Sequence, residues 1–162
     1  LLQTQMNRGS GRIVPLGNLS SKMKEAIKTA DAYLKANLKN LGIDQDLNAY
    51  DFTVQAINLN QAKEGAETAV AFFLSMVSAL LGKPILDRTV VLGEMSVQGM
   101  LLKVSTLPER MQAAVEAGAK RILIPSENKR DLAEVPDAIL TAIQWQFYDS
   151  PTRAEILAMG MG

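Results

Sequence analysis

Residues 66–81 form a helix-length stretch that is apolar nearly all round, carrying Val70, Phe72, Phe73, Leu74, Met76, Val77, Leu80 and Leu81. A helix of that kind has to be buried on most sides, so the remaining chain must wrap it in further layers. With 162 residues, 48% of them apolar, the chain is long enough to do this within one domain. Gly82-Lys-Pro84 closes the stretch, because proline cannot continue the hydrogen-bond ladder.

The segments around it alternate between helical and extended patterns. Met23, Ile27, Ala30, Leu34, Leu38 and Leu41 recur at spacings of three and four behind a cap at Ser20 or Ser21, with Gly42 placed to stop that helix. Lys22, Lys24, Lys28, Lys35 and Lys39 fall off the stripe and read most simply as a solvated face; a strip that binds polyanions is the alternative. Residues 50–59 alternate as a half-buried strand, and 60–65 make a polar loop. Strands are expected at 88–92 and 100–104, joined through Gly93 and Gly99 in a tight reversal. A helix follows from Leu107 to about Ala117, with Pro108 at an early position and Gly118 closing it. The remainder reads as a strand at 121–125, short helices at 128–135 and 136–143, a strand at 144–148, and a last helix begun by Ser150-Pro151. Interleaving of this kind indicates an α/β or α+β domain.

Composition removes whole chemistries. Without histidine or cysteine there is no Ser-His-Asp triad, no thiol nucleophile, no disulfide and no zinc site of the usual ligands. Seventeen basic residues balance seventeen acidic ones, which gives this domain no general electrostatic reason to bind nucleic acid or an anionic membrane. The eight methionines are scattered as core fillers rather than grouped as a soft-metal site. No long apolar run opens the chain and residues 1–11 lack signal-peptide order, so the cytoplasm is the expected location. That polar, Gly- and Ser-containing opening reads as a linker from a missing upstream region, leaving 12–162 as the domain.

Chemistry has few places to reside. The Lys63-Glu-Gly-Ala-Glu-Thr68 turn feeds the buried helix, and a strand, a glycine loop and a helix N-terminus in series can form an anion or oxyanion site. Glu67 already occupies that field, where a carboxylate stabilises the helix by roughly 0.3–1 kcal/mol. No phosphate-binding glycine motif precedes any helix. Glu94, Glu109 and Arg110 stand near element ends, where surface ion pairs explain most such residues.

The order of segments resembles the proteolytic domain of the Lon family over residues 10–148. The resemblance is carried by Glu64-Gly-Ala-Glu-Thr-Ala69, Leu92-Gly-Glu-Met-Ser-Val-Gln-Gly99, Leu107-Pro-Glu-Arg110 and Ile122-Leu-Ile-Pro-Ser-Glu-Asn-Lys-Arg-Asp-Leu132. The tail from Phe147 is similar, more narrowly, to the Lon-like proteins of BREX phage-defence systems, in which such a domain follows an AAA+ type motor that assembles into rings. The resemblance implies an α/β fold of two layers, helices packed on a small mixed sheet. It implies a serine nucleophile in Gly-Pro-Ser-Ala-Gly and a lysine base at the start of the next helix.

Here the first position falls on Glu67 and the second on Arg110, so both members of the dyad are replaced. Arginine cannot act as the base, since a pKa above about 12 leaves it no lone pair. Ser75 and Ser78 lie about 12 and 16 Å further along the helix, and the Thr68 side chain points about 100° away from position 67. Glu67 and Arg110 are instead expected to face each other as a charge-assisted pair tying two helices together.

The resemblance therefore implies a Lon-type serine peptidase fold without peptidase activity. The domain is expected to be a scaffold in a ring-forming homo-oligomer, working with an AAA+ region of the same polypeptide that would hold the ATP. No cofactor or metal is expected in the domain itself. The alternatives are an ATP-dependent peptidase with an unidentified nucleophile, and a small-molecule or peptide-binding domain that uses the old cleft.

Overall fold

The computed structural model describes residues 2–16, 19–44, 47, 50–56 and 68–160. In chain order these form β1 (Leu2–Arg8), β2 (Ile13–Leu16), α1 (Ser21–Ala36), β3 (Tyr50–Ala56), α2 (Ala69–Leu81) and β4 (Thr89–Val91). There follow β5 (Glu94–Met95), β6 (Leu101–Leu102), α3 (Leu107–Glu116), β7 (Arg121–Pro125), a 3-10 helix (Ser126–Glu134), α4 (Asp137–Ala142), β8 (Gln144–Tyr148) and α5 (Pro151–Met159).

The strands divide into two three-stranded sheets and one hairpin. In the first sheet β3 is central, antiparallel to β1 (Leu2 opposite Ala56, Arg8 opposite Tyr50) and parallel to β2 (Ile13 opposite Phe52). In the second, β7 lies between β4 and β8 and is parallel to both, with Arg121 opposite Thr89 and Gln144. The hairpin pairs Glu94 with Leu102. This is the α/β character expected of helices packed on a small mixed sheet.

Helix α2 is the centre, as its sequence requires. Val70, Phe72, Phe73, Leu74, Met76 and Val77 are fully buried, and they join the inward faces of α1, α5 and the first sheet in one core. Strand β7 explains the second core. Its residues are apolar on both faces, so Leu123 faces α2 and α5 while Ile122 and Ile124 face α3 and α4, the pattern of a parallel strand covered on both sides.

Several boundaries differ from expectation for identifiable reasons. Residues 1–11, expected as a linker, contain β1, and 13–16 form β2. Strand β1 is an edge strand with a mostly polar sequence; Thr4 reaches the core side by a hydrogen bond of 2.7 Å to Ser75 Oγ rather than by apolar contact, so no hydrophobic alternation marks it. Helix α1 stops at Ala36, where Asn37 donates to the Tyr33 carbonyl, while Gly42 (φ 72°) ends the turn that follows. Gly82, in the left-handed conformation, stops α2 before Pro84 is reached. The strand after Arg88 pairs with β7, and the expected reversal at 93–99 contains β5, so the two strands thought to be joined there are not partners.

One buried acid remains in the first core. Glu155 of α5 is only 5% exposed, and burial pushes its carboxyl pKa up, opposed in part by Lys83; the Tyr33 phenol beside it is pushed up by burial, against a hydrogen bond from Thr152. A carboxyl whose folded pKa exceeds its unfolded value favours folding fully below the unfolded pKa, and loses that contribution as pH rises through the folded one. Glu155→Gln should therefore melt at a higher temperature than wild type at pH 7, with the difference closing as pH falls toward 4. A lower melting temperature at pH 7 would contradict this.

Candidate functional site

The N-terminus of α2 is held by the turn 92–94. Val70 N–H donates to the Gly93 carbonyl at 3.2 Å, so a backbone oxygen of the chain itself already occupies one donor that an anion would need. The buried Tyr148 hydroxyl donates to the Leu92 carbonyl, and burial pushes its phenol pKa far up, which keeps it a donor. A Cβ on Gly93 would collide with the Tyr148 hydroxyl and come within 2.9 Å of Val70 Cγ2. Gly93 is thus required by close packing between α2 and β8, and Gly99 (φ 86°) is the turn glycine.

A second device sets the start of α3. Asn128, completely buried, acts as a substitute strand: its Oδ1 accepts from Val104 N–H and its Nδ2 donates to the Val104 carbonyl, both at 2.9 Å. Nδ2 also donates to Asp131 Oδ2 at 2.9 Å, and Asp131 Oδ1 lies 3.7 Å from Lys103 Nζ. The Ser-Glu-Asn-Lys-Arg-Asp string is therefore a clamp on residues 103–104. Thr106 follows with φ 55° and ψ 44°, an uncommon conformation for a threonine, and Leu107-Pro108 then begin the helix. Thr106→Gly should stabilise the domain by about 1 kcal/mol in a chemical melt, because glycine adopts this backbone without the Cβ clash. A destabilised variant would contradict that reading.

Arg110 stands in the first turn of α3, half-buried, with its N–H on the Thr106 carbonyl and its Nε enclosed. Glu67, and with it the expected Glu67–Arg110 pair and the loop 60–65, lies outside the described residues. Ser75 is engaged with Thr4, and Ser78 donates to the Lys83 carbonyl. Lys103 is 61% exposed and lies on a carboxylate, and Lys35 bonds Asp31 and the Gly11 carbonyl. Among the described residues no group of three or more acidic side chains is arranged to hold a metal ion, and no helix is long and apolar enough to cross a membrane. Sequence reasoning did not assign Tyr148, Asn128, Asp131 or Thr106 to this region; the quoted Asn-x-x-Asp spacing was the one available signal.

A family model described as the Lon protease (S16) C-terminal proteolytic domain matches residues 1–160. The chain belongs to this family. It is 32% identical over 161 residues to the Lon-like protease BrxL of Escherichia coli O9:H4 (strain HS), covering 98% of this chain and 23% of that protein. It is 34% identical over 140 residues to the Lon protease of Azorhizobium caulinodans, covering 86% of this chain and 16% of that protein. The Lon protease of Vibrio parahaemolyticus is 31% identical over 144 residues, covering 88% of this chain and 18% of that protein. The chain thus spans less than a quarter of the length of these relatives. Within this Lon domain, the two devices described above hold the N-termini of α2 and α3.

Proposed function

We propose that this Lon-type domain is catalytically silent and serves as an assembly module of a ring-forming AAA+ protein, in the phage-defence setting that its likeness to BREX Lon-like proteins suggests. The observation that carries the reading is the residue pair at the dyad positions, Glu67 and Arg110. Acyl transfer by a Ser-Lys dyad needs a hydroxyl to attack and a neutral amine to take its proton. A carboxylate has no proton to give up at neutral pH, and a guanidinium has no lone pair to receive one. The serines nearest along α2 are committed elsewhere, Ser75 to β1 and Ser78 to the helix C-terminus. ATP would bind in an upstream motor region and work would pass between copies, with no membrane or nucleic-acid contact assigned to this domain.

The test is a fluorogenic-peptide and casein assay on the full-length protein with ATP. No hydrolysis above the blank is expected. Turnover lost on Thr68→Ala or Lys103→Ala would instead support an ATP-dependent peptidase with a relocated nucleophile.

A further inference from the structure

Charge is balanced over the whole chain but not along it. Residues 1–43 hold seven of the seventeen basic residues and two of the seventeen acidic ones, so the field over this part is positive. On α1 the lysines form a row. Lys28 lies about 6 Å along the axis from Lys24, and Lys35 about 10.5 Å further on, all three within about 40° of arc on the side away from the core. Lys24 and Lys28 are exposed, and neither is in an ion pair among the described residues.

The nearby acids do not cancel the row. Asp31, the carboxylate that shares it, bonds Lys35 Nζ at 3.0 Å and is 14% exposed with its Oδ1 enclosed, so its charge is matched within the helix. Glu25 stands about 100° round from Lys24. Lys35 also donates to the Gly11 carbonyl at 2.9 Å, which brings the β1–β2 turn against α1 and with it Arg12, 75% exposed. Asp51 lies 3.8 Å from the Arg12 guanidinium, and its Oδ1 already accepts from Ser10 and Arg12 N–H. Lys39 adds an exposed cation in the turn that follows the helix.

The spacing selects the partner. Steps of about 6 and 10.5 Å on one face belong to residues four and then seven apart in an α-helix. An extended strand rises about 3.3 Å per residue, so it covers the second step in three residues and turns its third charge to the opposite face. A single row of cations meets one strand of a duplex, and Tyr33, the aromatic residue of α1, is buried and gives bases nothing to stack on. Ala32 and Ala36, both exposed, lie beside the row and leave room for a second helix to approach. No α-helix among the described residues carries acidic residues four apart, so a second copy of this domain does not supply the match there.

We propose that the lysine row of α1 docks an acidic α-helix of a different protein. The test is fluorescence anisotropy of the full-length protein with a labelled, hydrocarbon-stapled helical peptide whose glutamates stand four and then seven residues apart. Binding is expected at low salt and should weaken as salt is raised. Lys24→Glu with Lys28→Glu should weaken it at least about tenfold. Lys129→Glu with Arg130→Glu, the same charge change on exposed residues of the 3-10 helix, should leave it unchanged. Circular dichroism melts check folding, and Lys24→Gln with Lys28→Gln serves as the milder replacement. No binding of the glutamate peptide, equal binding of its glutamine counterpart or of a peptide with glutamates on alternate residues, or equal loss in both charge-reversed variants would each overturn the proposal. A short DNA duplex that binds more tightly than the peptide, and is lost in the Lys24 and Lys28 variant, would overturn it by assigning the row to nucleic acid. The proposal uses neither dyad position, so peptide hydrolysis by the wild type would remove the silent-domain reading and leave this one standing.

Discussion

Replacing Asn128 by alanine is expected to lower the stability of the domain by about 3 kcal/mol. The side chain is completely buried and makes three hydrogen bonds of 2.9 Å, two of them to the backbone of Val104, itself only 2% exposed. Alanine would leave an amide and a carbonyl enclosed with no partner and no route to water, and each such group costs about 1–3 kcal/mol. The damage should also be local. Residues 103–106 set the entry to α3, and Arg110 is one turn further on, so hydrogen exchange at Val104 and Leu107 should accelerate beyond the global change. Urea denaturation gives the size of the effect. A loss below about 1 kcal/mol would mean that the clamp is not what fixes this loop.

Gly93→Ala is the other large effect, expected to cost about 3 kcal/mol by forcing the 92–94 turn away from α2 and β8. Gly93 does not have a positive φ, so backbone strain plays no part and the cost is steric. That makes it separable. Tyr148→Phe removes the hydroxyl that the new methyl would meet, at the expense of the bond to the Leu92 carbonyl. In the Tyr148→Phe background, Gly93→Ala should therefore cost at least about 1 kcal/mol less than in wild type, a coupling of the size expected for residues in contact. Strict additivity of the two substitutions would place the clash elsewhere.

The sequence revealed those parts of the fold that rest on apolar periodicity. Helix α2 and the buried β7 were readable from their apolar runs, and the starts of α1 and α5 because Ser20 and Ser150 accept from Met23 and Arg153 N–H, as their positions suggest. Strand β1 was not readable, since its inward face uses Thr4 and Met6 with polar neighbours, and its partner β3 is 40 or more residues away. The site divides in the same way. Glu67 and Arg110 were assigned by position within a resembling motif, and Glu67 lies outside the described residues. Asn128 and Tyr148 act through contacts 24 and 56 residues distant, and one sequence carries no signal of such a contact. Gly93 and Gly99 look alike as letters, yet Gly93 is needed for space alone, whereas Gly99 combines a positive φ with close approach of the Tyr33 ring.

The proposed silent domain requires that none of its hydroxyls be activated for attack on a carbonyl. The most direct measurement is boron-11 NMR of a peptide boronate titrated into the full-length protein with ATP, because an activated hydroxyl converts trigonal boron to a tetrahedral adduct. Only the trigonal signal is expected at any ratio. A tetrahedral signal that disappears on changing a single serine or threonine to alanine would contradict the account.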